Sequence, residues 1–468
     1  MATKVTRRNF LGAAGVAAVP LLAHANPLLA QAVAPEKRSM QRSVERAVSQ
    51  AKVPSLKAPW RLPVGWYRAT VKRLQALLAE KKVAGLIATG GLNQNYLAGH
   101  FLTQTERPMY LFIPAQGEPV FFHPGLDRDM VAGWWVREHE WYFDFHHAGK
   151  FNQVVWEAGQ TENLWEWVCR RLGKRGFGAG TLALDFEPSP SLEKKLKEFA
   201  PEVKWDDWGK TLLHLRQVKT AEEIEMTQKA IDLHDAMLEF ARGFILEHGT
   251  DATDYDVRRA TSEFGTRLLM QALGPAELDG RPHKAVGLSL NFGCRTGPAT
   301  AYPHPNQFFF KRIERGDAIQ IASLIRIGGY GGEGYRACHL EPIPALGKKM
   351  WEVHTAMTEK QTELSKAGVK CNEVAAGVLK LAFDAGLEKY VYHRPAHGAG
   401  MEGHQAPYIS PGDQTVLEEN MMFSNEPGLY NSEAGYGYNH SNNILVGKNR
   451  GKQMNQTPMT KEWCWLKL

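Results

Sequence analysis

The chain has 468 residues, with 56 Lys and Arg against 50 Asp and Glu, for a net charge of +6. That length exceeds one ordinary hydrophobic core and points to two domains, while the mild, interspersed charge excludes a nucleic-acid surface. The five cysteines (Cys169, Cys294, Cys338, Cys371 and Cys464) are scattered, odd in number and without a Cys-x-x-Cys pair, which excludes thioredoxin-like and zinc-ribbon chemistry and a disulfide framework. One bridge is open in an oxidising compartment, and the sequence does not choose the pair.

The first stretch, Thr6-Arg7-Arg8-Asn9-Phe10-Leu11 followed by an apolar run from Gly12 to Ala25, reads as a cleavable export signal of the twin-arginine type. Cleavage is expected after Ala25 or Ala32, both of which end small-x-small patterns. Residues 1–32 are therefore set aside, and the expectation is a periplasmic protein handled by the twin-arginine export machinery. Such export carries folded proteins, a weak pointer to a metal loaded beforehand. No other run approaches the roughly 18 uninterrupted apolar residues of a membrane span, so no membrane association is expected after cleavage.

Residues 33–60 are polar, lack a sustained period and are expected to form a surface arm. Residues 61–211 read as a smaller α/β domain. Val71, Leu74, Leu77 and Leu78 recur at helical spacing within 66–82, a buried strand follows at 83–88, then the Asn95-Tyr96-Leu97-Ala98-Gly99 turn. Further strands are expected at 110–113, 119–123 and 181–185, with tryptophan-rich helices between. Residues 212–468 form the second domain. Thr220 is a good N-cap, with Glu222 and Glu223 in the first turn where the helix dipole favours them, for a helix reaching about Glu247. A second helix spans about 253–273, stopped by Gly274-Pro275. An irregular segment holding His283, Cys294 and His304 precedes strands at 318–327 and 335–340. Helices at 348–367 and 372–385 and a last strand at 443–446 complete the pattern, a curved, mainly antiparallel sheet backed by helices in an α+β layer architecture.

The richest stretch runs from His393 to Tyr430. It begins His393-Arg394-Pro395-Ala396-His397-Gly398-Ala399-Gly400-Met401-Glu402-Gly403-His404 and closes Phe423-Ser424-Asn425-Glu426-Pro427-Gly428. Imidazoles and a carboxylate held on strands suit metal binding or acid–base catalysis. Taken singly, each fits a loop histidine or an ordinary turn; the arrangement together points to function.

The order Gly316-Asp317-x4-Ala322, Gly329-Tyr330-x2-Glu333-x2-Arg336, His397-Gly398-x-Gly400, His404 and Asn425-Glu426-Pro427-Gly428 resembles the creatinase/aminopeptidase P family (M24, "pita-bread"). The Leu215–Ile224 junction and the Asn95–Gly99 segment are also typical of it. The resemblance covers nearly the whole mature chain. It implies a creatinase-like N-terminal domain, a C-terminal pita-bread domain and a homodimer. Family metallopeptidases hold two divalent ions with Asp, Asp, His, Glu and Glu. Here those positions fall on Ala322, Glu333, His397, Glu426 and Ser441, so two ligands are lost, since neither a methyl nor a neutral hydroxyl replaces a carboxylate. The survivors border one metal position, so the resemblance implies a single divalent ion (Mn, Fe or Zn) on Glu333, His397 and Glu426. Asn442 or His440 could supply a fourth ligand.

A metal-free mechanism stays open beside it. Creatinase resembles this chain in lacking the full ligand set and splits a C–N bond with a histidine acid/base, whose position falls on His304. The catalytic candidates are thus His304, His404, Glu333 and Glu426, with His404 also a substrate contact. An unperturbed imidazole titrates near pH 6.5, within reach of neutral-pH proton exchange. Arg107 is a substrate-binding candidate that could meet a carboxylate across a dimer. Arg336 is expected to support the fold, and Cys338 and His339, adjacent on a strand, cannot both face the site. The expected activity is hydrolysis of a C–N or related bond in a small molecule or peptide. A lyase on the same fold and a non-catalytic periplasmic binding protein are the alternatives.

Overall fold

The computed structural model describes residues 35–51, 60–102, 104–145, 153–155, 160–277, 287–304 and 310–468. The expected export signal and His283 lie outside the described residues. Among the described residues no helix is long and apolar enough to cross a membrane.

Helix α1 (Pro35–Gln50) replaces the expected arm. Its apolar stripe is narrow: Met40 and Val44 are buried, with Ala47, Val48 and Ala51 packed beside them. Charged residues fill the rest of each turn, which hides the helical period. The helix docks on the second half of the chain, with Gln41 donating to Glu263 and Arg46 paired with Glu247.

The first half is built on a six-stranded sheet. Helix α2 (Val64–Glu80) leads into β1 (Gly85–Ala88), and helix α3 (Gly91–Ala98) occupies the stretch expected to turn. Gly99 ends α3 in the left-handed conformation, φ 65°, so the Asn95–Gly99 segment is the last turn of a helix plus its glycine stop. Strands β2 (Tyr110–Pro114), β3 (Val120–Pro124) and β4 (Glu138–Tyr142) extend one side. After helix α4 (Leu164–Lys174), β5 (Gly180–Leu184), helix α5 (Pro190–Phe199) and β6 (Val203–Asp207) extend the other, giving the order β4-β3-β2-β1-β5-β6. One face buries Phe112, Phe122, Trp167 and Leu184 in a core of its own. The other face joins the continuous core of the second half, through residues such as Leu74, Leu86 and Leu111.

Helix α6 (Gly209–Gln217) crosses to the second half, where α7 (Ala221–His248) starts with a capping box. Thr220 Oγ1 accepts from the Glu223 N–H and the Glu223 carboxylate accepts from the Thr220 N–H. Thr220 Oγ1 also accepts from Trp66 Nε1 at 3.0 Å, so one hydroxyl caps α7 and ties it to α2. Helix α8 (Asp254–Glu277) runs past the expected Gly274-Pro275 stop, because a proline in a last turn removes only one backbone bond. Strand β7 (Ser289–Thr296) forms where irregular chain is expected. It is an edge strand with only Phe292 and Thr296 well buried, so its alternation is diluted by polar residues.

Two antiparallel strands carry the centre, β8 (Ala318–Ile327) and β9 (Tyr330–Leu340), with α7 packed across both. Strand β9 begins five residues earlier than its apolar residues suggest. Its start is glycine-rich because the backbone is tightly enclosed: a Cβ at Gly331 would lie 1.8 Å from the Ile325 carbonyl oxygen. Helices α9 (Ala345–Leu364) and α10 (Cys371–Asp384) precede the second sheet. That sheet contains β10 (Ala396–Gly398), β11 (Gln405–Ile409), β12 (Met422–Asn425), β13 (Asn442–Leu445) and β14 (Lys452–Gln453), in the order β11-β10-β12-β13-β14 with every pair antiparallel. Strand β15 (Trp465–Leu466) completes the first sheet as β7-β8-β9-β15. A bridge between Tyr335 and Ser441 joins β9 to the second sheet. All five cysteines are free thiols.

Replacing Thr220 by Ala removes the cap and the Trp66 contact together. The expected loss is about 1–2 kcal/mol in urea unfolding, with most of it recovered in Thr220→Ser. Equal losses in both variants would mean that the hydroxyl is not what matters.

Candidate active site

The site lies where the two sheets meet. His397 stands on β10, held on both sides, opposite Tyr408 on β11 and Ser424 on β12, with a register shift just after it. Glu426 follows β12 directly, its N–H bonded to the Pro395 carbonyl. Glu333 stands on β9 opposite Leu324 of β8. His404 sits one residue before β11.

His397 is buried, and its Nδ1 lies 3.2 Å from the Gly398 carbonyl oxygen. A carbonyl only accepts, so Nδ1 carries the proton and Nε2 faces the site. Nε2 lies 3.2 Å from Glu426 Oε1 and 3.7 Å from Glu333 Oε1. His404 stacks on the His397 ring at 3.8 Å between centroids, and its Nε2 lies 3.5 Å from the same Glu333 oxygen. A neutral His397 would aim a lone pair at two carboxylates, so the arrangement calls for a cation, either a proton or a metal ion. Burial lowers the His397 pKa, but the Glu426 hydrogen bond and the charges of Glu426 and Glu333 outweigh it and raise the pKa above its ordinary value. Burial pushes Glu333 up, yet bonds from His404 and Tyr335 and the charge of His397 bring it below the usual carboxylate range.

The four residues that the sequence singles out most strongly therefore converge, but in a different grouping from the one expected. Ligand atoms of Glu333, His397 and His404 lie within 4.8 Å of one another, and Glu426 joins through His397. His404, expected as a catalytic and substrate-contacting residue and not as a ligand, stands among the possible donors. His304 is exposed and forms no hydrogen bond or ion pair with the cluster. Arg107 is ion-paired with its neighbour Glu106. Neither expected fourth ligand joins. Asn442 Oδ1 accepts from Arg336, and His440 is buried against His354 and Trp351, with Nδ1 accepting from the Ala337 N–H. Arg336 is fully buried and donates to the Thr457, Pro458, Tyr335 and Ser441 carbonyls, a scaffold role. His339 bonds Tyr438 and Gly316.

Three neighbours escaped the sequence reading. Tyr335 stands on the same face as Glu333, opposite Ala322, and donates to the Glu333 carboxylate. Arg295 donates to the Tyr302 and Pro303 carbonyls while its charge acts on Glu426. Arg326 lies on the Glu333 side of β8. Period-two alternation from Glu333 and Ala322 would have found Tyr335 and Arg326; nothing in the sequence announces Arg295.

The donor set of Glu333, Glu426, His397 and His404 fits one divalent ion of the Mn, Fe or Zn kind. A second ion does not fit. Ala322 offers a methyl, and Ser441 is fully buried with its hydroxyl bonded to Ser424 Oγ at 2.9 Å.

Residues 225–448 match the model of metallopeptidase family M24, and residues 71–218 match the creatinase/prolidase N-terminal domain. The chain belongs to the M24 family in its two-domain creatinase/prolidase form, and with it to the hydrolases of that fold. It is 26% identical over 369 residues to a putative dipeptidase, YkvY, of Bacillus subtilis, covering 78% of this chain and 92% of that one. It is 25% identical over 362 residues to an Xaa-Pro dipeptidase of Lactobacillus delbrueckii, covering 76% and 89%. Among solved structures, a prolidase from Thermococcus sibiricus superposes with a TM-score of 0.67 at 20% identity, covering 84% and 97%. Dipeptidase PepE from Mycobacterium ulcerans gives 0.67 at 22%, covering 87% and 100%. These likenesses show the pita-bread fold expected from the sequence.

The pKa shifts fix how the metal-free site responds to pH. The raised His397 pKa gives stability that is full below the ordinary value of about 6.5 and is lost as pH rises through the folded value. The depressed Glu333 pKa gives stability present above about 4.5 and lost as pH falls through the folded value. Chelator-treated protein is therefore best held between about pH 5 and 6.5. A divalent ion needs His397 neutral, so the rise in Tm on adding Mn or Zn is expected to be larger at pH 8 than at pH 5.5. An equal rise at both would contradict the assignment of His397 as the ligand.

Proposed function

We propose that the protein is a mononuclear metallohydrolase that cleaves the C–N bond of a small peptide-like substrate, with Xaa-Pro dipeptides, the substrates named for its relatives, the first to test. The observation that carries this reading is His397 Nε2 facing Glu426 and Glu333, with His404 stacked beside it. His397, Glu333 and Glu426 would hold the ion, with His404 available as a fourth donor.

A divalent ion there would polarise the scissile carbonyl and acidify a water. The chain's residues divide the remaining work. The His397 ring is fixed by its Nδ1 bond to Gly398, which keeps Nε2 in the acceptor form that ligation needs. Tyr335 donates to Glu333, orienting that carboxylate. His404 is half exposed, so it reaches both the site and an incoming substrate, and it suits proton delivery to the leaving nitrogen. His304 has no comparable contact, which turns the acid–base role toward His404. The same site without metal, with His404 and a carboxylate moving the proton, is the competing chemistry.

We further propose that residues 1–32 direct the folded protein through twin-arginine export to the periplasm. Replacing Arg7 and Arg8 by Lys should leave the protein in the cytoplasmic fraction. Periplasmic recovery of that variant would contradict export by this route.

For the site, protein loaded with Mn or Zn is expected to retain about one ion per chain after dialysis and to hydrolyse Gly-Pro. Glu333→Gln or His397→Ala should lower kcat/KM by about 100-fold or more, and His304→Ala by less than about 3-fold. Two ions per chain, or less than about a tenth of one with turnover intact, would overturn the mononuclear reading.

A further inference from the structure

The two-residue strand β15 pairs with β9 in parallel, with His339 opposite Trp465 and Leu340 opposite Leu466. One step back along both chains stand Cys338, inside β9, and Cys464, the residue before β15. Neighbouring strands lie about 4.8 Å apart, within the roughly 4.4–6.8 Å between Cα atoms that a disulfide spans. Both side chains are fully buried, and the two thiols are hydrogen-bonded to each other. Alternate residues of a strand share a face, so Cys338 points away from the face that holds Glu333, Tyr335 and His339. Helix α7 covers its side: a Cβ on Gly334 would meet His234 of α7, 2.8 Å from Nδ1. Cys464 is fixed against the same helix through its neighbour Trp463, which donates from Nε1 to Glu239 and accepts at its carbonyl from Arg242.

The other cysteines stand apart from this pair. Cys169 belongs to α4 and the separate core of the first half, and Cys371 opens α10. Cys294 shares a sheet face with Cys338, but β8 lies between them, with Cys294 opposite Ile321 and Cys338 opposite Ile319. Two strand spacings, about 9–10 Å, exceed the reach of a disulfide. Metal binding does not account for the pair either: among the described residues the ligand side chains close enough to hold an ion are Glu333, His397 and His404, on the other face of β9. Burial holds the Cys464 thiol well above its ordinary pKa, with the Cys338 contact adding to the rise and the Arg336 charge opposing it. The enclosed pair is therefore protonated and inert. Exchange proceeds before residues 461–468 dock, or when they lift from β9, and the ladder they break is only two residue pairs long; such short elements open locally without global unfolding.

We propose that Cys338 and Cys464 form a disulfide that locks residues 461–468 onto β9. The oxidant is a low-molecular-weight disulfide of the glutathione class, acting by thiol–disulfide exchange. One cysteine thiolate attacks it, forming a mixed disulfide and releasing one thiol. The second cysteine then attacks the mixed disulfide, closes the Cys338–Cys464 bond and releases the other thiol. Two protein thiols are oxidised, one external disulfide is reduced, and the two protons pass to the released thiolates. The bridge closes the loop 338–464, which contains the whole second sheet and with it His397, His404 and Glu426. Closing so long a loop restricts the unfolded chain strongly, so the bridge stabilises the sheet that carries the site from the far side of β9. Nothing in this depends on the hydrolase reading.

The test incubates folded, reduced wild type with a mixture of oxidised and reduced glutathione, and refolds a second sample from guanidinium in the same mixture. Free thiols are then capped with N-ethylmaleimide under denaturant and the protein is digested for mass spectrometry. Of the five cysteines, Cys169, Cys294 and Cys371 are expected to be capped, and one linked pair of peptides is expected, holding Cys338 and Cys464. The Tm of the bridged protein should stand about 5 °C above that of the same sample after reduction with dithiothreitol. Cys464→Ser should melt at one temperature in oxidant and reductant, whereas Cys294→Ser should keep the full difference. Capping of all the cysteines in both samples, a link between any other two, or glutathione retained on Cys338 or Cys464 would overturn the proposal. A bridge without a rise in Tm would overturn the lock.

Discussion

Everything at the centre of this protein answers to one electrostatic problem. His397 Nε2 lies 3.2 and 3.7 Å from two carboxylates in a largely buried junction. In that environment like lone pairs repel strongly and hydration cannot screen them. Only a cation makes the arrangement favourable, and the fold has no freedom to relax it. Hydrogen bonds on both sides hold β10, the Pro395 carbonyl pins Glu426, and the strand ladder pins Glu333. Rigidity of the scaffold turns a local repulsion into affinity for a positive charge.

The loss of two carboxylate positions gains meaning from their surroundings. Ser441 has become half of a buried hydroxyl pair with Ser424, and Tyr335 stands across from Ala322 with its phenol on Glu333. These are satisfied, packed arrangements, with the polar groups partnered as burial requires. Cationic Arg295 and Arg326 flank the pocket. The pocket thus combines few acidic ligands with two fixed positive charges, and both disfavour a second metal ion.

The long helices, the central strands and the sheet-and-helix class were legible because burial there imposes strong periodicity. Thr220 is an example, since its cap could be read from three residues. Misreadings fell where tertiary contacts override local pattern. Helix α1 hides its period because its apolar stripe, centred on Met40 and Val44, is narrow, and β7 is an edge strand with one half-exposed face. The site was legible as a list of residues and not as a grouping. Sequence order places His397, His404 and Glu426 in one stretch, but only the way the two sheets meet, bridged at Tyr335 and Ser441, decides that His404 stands with Glu333. Arg295 and Arg326 were invisible because an arginine's importance here lies in what it faces, which depends on pairing between distant strands.

The central claim is that one cation, not two, occupies the space between His397, Glu333 and Glu426. X-ray absorption at the metal edge of Mn- or Zn-loaded protein tests it most directly. A single ion is expected, with imidazole nitrogen scattering that diminishes in His397→Ala and with no metal–metal vector. Scattering from a second metal at about 3.5–4 Å, or a first shell without imidazole, would contradict it.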